Sequence, residues 1–335
     1  MKIVFLCHFS NPLVREKLDL RKYTLRRLLY NLKGGAIMYD DFAVWVSDYI
    51  AEFEKHPEVE FHIVAPHYGM KREIQSYDLR NIHYHFFRWN YGIIYTALDK
   101  LFHLEEKNLF ARNRGKMNAI IGEINPDLII LCGAENPYYS VGVLDVTDKP
   151  VYVILQTLLN DPKRIEMGVG SPYRREVELR IFKHAGYFCT SGKNVTEKIK
   201  ERNPNAKILP AGFPTHRENI VLPTYKEYDF VFFAQKITKN KGIEDLLKAL
   251  GKVAQYHKTV KLNVIGNCDA DYKKYLETIT KEQDIVNNVS FAGYYQKIDD
   301  AFNEVIKAKA VVVPGITAGL NSTVRESMLM GLPTI

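Results

Sequence analysis

The stretch VVVPGITAGLNSTVRESMLMGLPTI, residues 311–335, decides how the rest of the sequence is interpreted. It predicts a buried strand over Val311–Val313, a loop of small residues, and a helix that begins near Asn321, Ser322 and Thr323. A helix that follows a parallel strand presents unpaired N–H groups and the positive end of its dipole to anions. Glu326, one turn inside, can accept hydrogen bonds from a sugar diol. This stretch therefore predicts a site for a phosphate beside a ribose, although a surface Glu in an ordinary strand–loop–helix joint is the alternative.

The composition of the chain is that of a soluble globular protein. Its 335 residues suffice for two domains, and its hydrophobic and charged fractions, 46% and 25%, are average. The apolar runs are shorter than the roughly 18 residues of a membrane-spanning helix, and the N-terminus has no signal-peptide pattern. The four cysteines lack metal or redox spacing, so we expect reduced thiols in a cytoplasmic protein.

The net charge of +7 and the pI near 8.9 indicate an anionic partner. The sequence has no helix-turn-helix, RNP or zinc signature, so nucleic acid is not the predicted partner. Phosphorylated ligands and anionic lipid headgroups account for the charge equally well. Much of the charge lies in the basic segment Arg15–Lys33.

The stretch Tyr84–Phe110 combines aromatic residues with basic ones and has two interpretations. In the first, it is a helical insertion whose aromatic side chains complete the core. In the second, it is a membrane-surface or hydrophobic-acceptor patch, because aromatic and basic residues together suit the membrane interface. The second interpretation predicts peripheral binding at the inner face of the membrane.

Strand-like and helix-like segments alternate along the whole chain. In the first half, apolar runs such as Lys2–Cys7 and Leu128–Cys132 predict parallel strands joined by helices. The same alternation begins again at Asp229–Ala234 after a polar segment punctuated by Pro214 and Pro223. We therefore predict an α/β protein with one Rossmann-like domain over residues 1–220 and a second over residues 221–335.

At three places the second half resembles the retaining GT-B glycosyltransferases of family 4. Pro314, the segment Thr323–Met328 and the Gly331-Leu332-Pro333 turn resemble the nucleotide-sugar motif of that family. In the family, a Glu, seven residues and a second Glu bind the donor. Glu326 takes the second position, whereas the first falls on Ala318, so half of the motif is absent.

The resemblance extends to the loop after the first strand of the second half. The family's Gly-Arg-Leu triplet and Lys-Gly pair align with the segment 235–242, so Lys236 replaces the Arg and Lys241 is the Lys. Two cations there suit a diphosphate, although a solvated lysine run is the alternative. Gly266 corresponds to the family's glycine-rich turn, and Tyr294 lies where the family's backbone holds the base.

The first half resembles the family more loosely. The resemblance puts Gln156 at the place of a family His that contacts the donor sugar, and Glu135 is a replacement polar candidate in the loop after Leu128–Cys132. The acceptor is expected near His8, Asn11 and Asp41. Among all the site residues, Gln156 and Glu326 are the predicted catalytic ones. No residue is predicted to bind a metal.

The resemblance implies a GT-B enzyme, with two Rossmann-like domains facing across a cleft. The first domain would bind a glycan or lipid-linked acceptor, and the second would bind a nucleotide-diphosphate sugar as co-substrate without a cofactor. Transfer would retain the anomeric configuration and serve cell-surface polysaccharide biosynthesis. Two alternatives stay open: a non-catalytic protein of this fold that binds sugar nucleotides or a partner enzyme, and a different two-Rossmann enzyme. The missing G-x-G-x-x-G motif argues against dinucleotide binding in the latter.

The end of the sequence carries one more expectation. A parallel strand should begin at Thr334-Ile335, and a complete sheet would need a further strand–helix unit of roughly 30 residues. We therefore expect the C-terminal part of the second domain to be truncated.

Overall fold

The chain forms two compact units, Met1–Pro214 and Thr215–Ile335. The computed structural model describes residues 1–21, 43, 45–89, 93–190, 192–210, 212, 214–215, 223–295, 297–315 and 322–335. The boundary that the sequence predicts near residue 220 lies within 216–222, outside the described residues.

The described part of the first unit contains an eight-stranded sheet. Its strands are β1 (Lys2–Leu6), β2 (Glu60–His67), β3 (Ile74–Leu79), β4 (Ile82–Arg88), β5 (Leu128–Cys132), β6 (Val151–Ile154), β7 (Tyr187–Cys189) and β8 (Lys207–Leu209). Their order in the sheet is β3-β4-β2-β1-β5-β6-β7-β8, and all neighbours are parallel except β3 and β4. β1 is central, and its side chains are buried from Ile3 to Leu6 because helices cover both faces of a parallel sheet.

Helices connect these strands and form two hydrophobic cores, one on each face of the sheet. The helices are Pro12–Lys17, Val46–Phe53, Ile93–Phe102, Leu104–Lys107, Ala111–Ile124, Pro137–Ser140, Pro162–Glu166, Pro172–His184 and Lys193–Arg202. Several begin with a proline in the first turn, where the missing N–H costs nothing. None of the described helices is both long and apolar enough to cross a lipid bilayer.

The second unit has a parallel sheet in which four strands are described. These are β9 (Tyr228–Lys236), β10 (Leu262–Asn267), β11 (Val289–Gly293) and β12 (Ala308–Val311), in the order β11-β10-β9-β12. Beyond β12, the amide of Val313 donates to the carbonyl of Ile335 at 2.7 Å, and the amide of Ile335 donates to the carbonyl of Val311 at 2.9 Å. The chain thus returns beside β12 in the parallel direction, where the sequence predicts a strand.

The helices of the second unit alternate with its strands, as the sequence predicts. They are Ile243–Tyr256, Ala270–Glu282, Ile298–Val305 and Ser322–Leu329. One core packs against the helix Ile243–Tyr256, and the other packs against Ile298–Val305. This order of parallel strands with helices between them is typical of the doubly wound, Rossmann-like arrangement.

The interpretation of Tyr84–Phe110 as a helical insertion is wrong for its first part. Residues 82–88 form β4, which pairs with β2 on one side and with the antiparallel strand β3 on the other. Tyr84 and Phe86 are buried on one face of this strand, and His83 and His85 lie on the opposite face. The alternation is the period of two expected of a strand. The described helix of this stretch starts at Ile93.

Candidate functional site

The strand order of each unit creates one place where the connections leave in opposite directions. In the second unit it lies between β9 and β12, and in the first between β1 and β5. In open α/β sheets, ligands bind beside the carboxyl ends of the strands at this point. Several of the residues that the sequence predicts to be functional lie in the segments that follow these four strands.

The loop after β9 presents lysine side chains to solvent. Lys236 ends the strand, and its Nζ lies 3.2 Å from Asp269 Oδ2 in an exposed ion pair. Lys239 and Lys241 lie in a short 3₁₀ turn, and Lys241 makes no ion pair within the described ranges. The loop therefore combines one cation that is already paired with another that is available to an anion.

Gly242 joins this lysine loop to the loop after β12. Its φ of +75° is left-handed, and a Cβ on Gly242 would lie 2.3 Å from the carbonyl oxygen of Pro314. A Cβ on Gly315 would lie 3.9 Å from the carbonyl oxygen of Asn240. The backbones of the two loops thus contact each other directly, which only a glycine at position 242 permits.

Gly266 and Tyr294 lie on the two strands beyond β9. Gly266, near the end of β10, has a φ of +146°, and a Cβ there would lie 2.1 Å from the carbonyl oxygen of Ala234. The register of β10 against β9 shifts between Ile265 and Asn267, so Gly266 forms a bulge at the carboxyl edge. Tyr294 directly follows β11, and 55% of its surface is exposed. Both residues thus lie at the carboxyl edge of the sheet.

The helix Ser322–Leu329 begins as the sequence predicts. Ser322 is exposed at its start, Thr323 is buried, and the hydroxyl of Ser327 donates to the carbonyl of Thr323 at 2.6 Å. Glu326 lies in the second turn and is half-buried. Asn321 and Ala318 lie outside the described residues.

The carboxyl edge of the first unit brings His8 into contact with Tyr138. His8 follows β1, and its Nδ1 lies 2.6 Å from the hydroxyl oxygen of Tyr138 in the helix Pro137–Ser140, which follows β5. Burial, with a smaller contribution from the neighbouring His67, lowers the pKa of His8 to about 3. His8 is therefore neutral at physiological pH and can act as a hydrogen-bonding group but not as a cation.

Glu135 and Gln156 both lie over Gly133. A Cβ on Gly133 would lie 2.8 Å from each carboxylate oxygen of Glu135 and 2.7 Å from Nε2 of Gln156. Gln156 follows β6, and its Nε2 donates to the carbonyl of Cys132 at 3.1 Å. Gly133 has a φ of +92°, so the absence of a side chain there leaves the space that both polar groups occupy.

The carboxyl group of Glu135 is buried without full hydrogen bonding. Glu135 is 7% exposed, and its Oε2 has no hydrogen-bond partner among the described atoms. Burial, with a smaller contribution from the charge of Glu178, raises the pKa of this carboxyl to about 7, although Arg174 opposes the shift. A carboxyl that changes its protonation state near pH 7 can either donate or accept a hydrogen bond.

Two residues of this edge are not singled out by any sequence pattern. Arg174 donates from Nε to the carbonyl of Glu135 at 2.7 Å and from Nη2 to Oδ1 of Asn136 at 2.9 Å, and so holds the loop after β5. Tyr138 contacts His8. Arg174 is one of several arginines in a polar helix, and only the tertiary contact distinguishes it.

Asn11 lies close in sequence to His8, but its side chain has structural partners. Its Oδ1 accepts from the amide of Val14 at 2.9 Å and caps the helix Pro12–Lys17, while its Nδ2 donates to the hydroxyl of Ser47 at 3.1 Å. Asp41 lies outside the described residues. The acceptor roles of both residues stay predictions.

Residues 215–335, which are the residues of the second unit, match the family "Glycosyl transferases group 1". An uncharacterized glycosyltransferase of Methanocaldococcus jannaschii is 28% identical to this chain over 106 residues, which is 31% of this chain. The matched segment spans about a quarter (26%) of that relative's length. The second unit therefore carries a glycosyl transferases group 1 domain.

Solved structures resemble the chain over its whole length. Sucrose-phosphate synthase from Thermosynechococcus elongatus is similar with a TM-score of 0.61 and 14% identity, covering 100% of this chain and 80% of that one. The Anabaena protein HepE in complex with UDP is similar with a TM-score of 0.59, 14% identity and the same coverage. These likenesses confirm the predicted α/β class and its GT-B-type fold.

Proposed function

We propose that this protein is a glycosyltransferase that uses a nucleotide-diphosphate sugar as donor. One observation carries the proposal: the lysine loop after β9 contacts the loop after β12 through Gly242 and Pro314, at the point of the sheet where ligands bind. The same residues match the glycosyl transferases group 1 family. The likeness to a UDP-bound protein supports a nucleoside diphosphate as ligand.

In the proposed reaction, the bond between the sugar's anomeric carbon and the diphosphate breaks, and a glycosidic bond to an acceptor hydroxyl forms. Lys241, Lys236 and the first amides of the helix Ser322–Leu329 stabilise the charge on the departing diphosphate, which takes the acceptor's proton. Glu326 orients the ribose. Gln156 contacts the donor sugar, the anomeric configuration is retained, and the chemistry needs no metal.

The acceptor is proposed to bind the carboxyl edge of the first unit. Neutral or near-neutral hydrogen-bonding groups lie there, on His8, Glu135 and Gln156. Such groups suit the hydroxyls of a sugar better than they suit a charged substrate. We propose a glycan or lipid-linked acceptor and a role in cell-surface polysaccharide biosynthesis.

A donor screen tests the proposal. The purified 335-residue chain is mixed with UDP-, GDP- and ADP-sugars, and a ligand that binds the native state raises the unfolding temperature. The stabilising donor is then labelled in its sugar and incubated with candidate acceptors. Transfer or slow hydrolysis supports an enzyme, whereas binding with neither reaction supports the non-catalytic alternative. If no nucleotide sugar binds, the proposal is wrong.

We predict that Lys241→Ala weakens nucleotide binding more than Lys236→Ala does. A charge-assisted hydrogen bond to phosphate contributes about 1.5–3 kcal/mol, and Lys241 has no ion pair in the described ranges to give up. Lys236 must first leave Asp269, so its net contribution is smaller. Titration calorimetry with UDP or GDP measures the nucleotide affinity of both alanine variants. Lys236→Arg should bind the nucleotide like the parent. Equal binding by Lys241→Ala and the parent would refute the phosphate assignment.

We predict that Glu326→Gln removes the preference for ribose over deoxyribose. The amide keeps the shape of the carboxylate but weakens the charge-assisted hydrogen bonds to the two hydroxyls, so affinity should fall by about 1–3 kcal/mol. The measurement compares the Kd of UDP or GDP with that of its 2′-deoxy analogue for parent and variant. A variant that keeps the parent's preference would show that Glu326 is structural.

We further propose that the first unit binds the surface of an anionic membrane. On the helix Ile93–Phe102, four large apolar residues recur at helical spacing and are exposed: Ile94, Leu98, Leu101 and Phe102. Their spacing places them on one face of the helix. An exposed apolar stripe near basic residues suits the lipid interface. The basic segment of the sequence, Arg15–Lys33, lies mostly outside the described residues.

We expect the double variant Leu98→Asp, Leu101→Asp to lose liposome binding. Each apolar side chain that enters the interface contributes on the order of 1 kcal/mol, and each nearby basic residue contributes about as much on an anionic surface. Cosedimentation with anionic vesicles should fall at least tenfold in the variant and should fade with salt in the parent. Tyr256→Ser, at an exposed position of the second unit, is the control. Equal binding to neutral vesicles, or unchanged binding by the double variant, would contradict the proposal.

A further inference from the structure

Histidine and carboxylate side chains collect on one face of the first sheet, in strands β2, β3 and β4. They are Glu60, His62, Asp78, His83 and His85. His62 and His83 are register partners on the neighbouring parallel strands β2 and β4, and Asp78 is the register partner of His83 on β3. Side chains of register partners lie on the same face of a sheet, so strand pairing brings together residues that are distant in sequence.

Three of these side chains bring possible ligand atoms close together. One ring nitrogen each of His62 and His83 and one carboxylate oxygen of Glu60 all lie within 4.8 Å of one another. The Nε2 of His62 lies 3.0 Å from Oε1 of Glu60, and the imidazoles of His62 and His83 stack with their centroids 4.6 Å apart. Within the described part of the chain, no second group of this kind occurs.

The remaining imidazole nitrogens have partners that orient the rings. His83 Nδ1 lies 2.7 Å from Oδ1 of Asp78, so its Nε2 is the nitrogen left for a ligand. His62 Nδ1 lies 3.1 Å from Nε2 of His85, and His85 Nδ1 lies 2.9 Å from the hydroxyl of Ser76. Metal-binding histidines are held in this way, with the second nitrogen hydrogen-bonded to a carboxylate or another protein group.

We propose that Glu60, His62 and His83 bind a zinc ion. Two imidazole nitrogens and one carboxylate oxygen form a common zinc ligand set, with a water in the fourth tetrahedral position. Zinc–ligand bonds of about 2.0–2.1 Å put neighbouring ligand atoms roughly 3.3 Å apart. His62 Nε2 and Glu60 Oε1, 3.0 Å apart, lie close to this separation, and the side chain of His83 is 35% exposed.

This site lies apart from the carboxyl edge where the transferase chemistry is proposed. Glu60 and His62 are at the amino-terminal end of β2, whereas the carboxyl edge is reached at His67. Zinc there would tie β2 to β4 and stabilise the sheet, without entering the transfer reaction. Its competitor is Lys2, whose Nζ lies 3.3 Å from Oε1 of Glu60.

The test uses the full 335-residue chain without a polyhistidine tag, freed of metal by a chelator. Zinc is titrated by calorimetry, and Co²⁺ is added separately for its visible spectrum. We expect one zinc per chain, a rise in the unfolding temperature of the first unit, and Co²⁺ bands typical of tetrahedral nitrogen and oxygen ligands. His83→Asn and Glu60→Gln should each weaken zinc binding by at least tenfold, and Lys2→Met should strengthen it.

His56→Asn is the matched control. His56 Nδ1 lies 3.0 Å from Oε1 of Glu58, the same separation as in the His62–Glu60 pair, but His56 does not belong to the three-residue group. This variant should bind zinc as the parent does. Three results would overturn the proposal: no stoichiometric zinc binding by the parent, unchanged binding by both His83→Asn and Glu60→Gln, or a Co²⁺ spectrum with a thiolate charge-transfer band. The last would indicate cysteine ligands.

Discussion

Gly242→Ala should destabilise the second unit by about 3 kcal/mol and strongly reduce nucleotide binding. The added methyl would lie 2.3 Å from the carbonyl oxygen of Pro314, a backbone atom that can move only with its loop. The left-handed φ of +75° adds strain for any residue with a Cβ. Because the collision pushes the lysine loop away from the loop after β12, the variant should lose both stability and the geometry of the proposed phosphate site.

Gly293→Ala separates the collision from the backbone strain. Gly293 has a similar φ of +82°, but a Cβ there meets no atom within 4 Å. Its stability should fall by only about 1 kcal/mol, which is the cost of the left-handed conformation alone. Native-state hydrogen exchange of peptides from β9 and β12 measures the loss of stability in both variants. If they lose equal stability, the contact with Pro314 does not constrain the two loops.

Glu135→Gln should make the first unit more stable above neutral pH. The pKa of the Glu135 carboxyl is raised to about 7 in the folded protein, from an ordinary value of 4.5, because burial disfavours the charged form. The folded state therefore binds this proton more tightly than the unfolded state, and the carboxyl's contribution to stability is lost as the pH rises from about 4.5 through 7. The loss amounts to about 3 kcal/mol. A glutamine does not titrate, so the variant does not lose this stability as the pH rises.

The measurement is the urea unfolding free energy of the first unit at pH 5, 6.5 and 8. Both tryptophans of the chain, Trp45 and Trp89, lie in this unit, so their fluorescence reports on it selectively. Between pH 5 and 8, the unfolding free energy of Glu135→Gln should increase relative to that of the parent by about 3 kcal/mol. Glu123→Gln, at an exposed position of a helix in the same unit, is the control. An identical pH dependence of the parent and Glu135→Gln would contradict the assigned shift.

The same variant also tests function. A carboxyl that costs stability above neutral pH and is buried beside Gln156 and Gly133 has no structural advantage that a glutamine would lack. If Glu135 contacts the acceptor, Glu135→Gln should be more stable and yet slower in sugar transfer. If transfer is unchanged, Glu135 is not an acceptor residue.

Much of the fold could be predicted because its signals are local. The apolar runs of β1, β5, β9 and β10 are separated by amphipathic helices, and this alternation alone predicts parallel sheets in two halves. The start of the helix Ser322–Leu329 can be predicted from the few residues around it. The same is true of the lysines that follow β9. The alternation does not predict β4, because its aromatic and histidine residues alternate within a short strand that a longer aromatic stretch with helical character follows.

What only the tertiary structure decided depends on which strands pair and in which register. The contact of Gly242 with Pro314 joins two loops that are adjacent only because β12 pairs with β9. The burial of Glu135 depends on how the loop after β5 packs, with Arg174 holding it from a helix that comes later in the chain. The group Glu60, His62 and His83 exists because β2 and β4 pair with those histidines in register. A sequence specifies the period and burial of each element locally, whereas a side chain's pKa and partners arise from the non-local pairing of those elements.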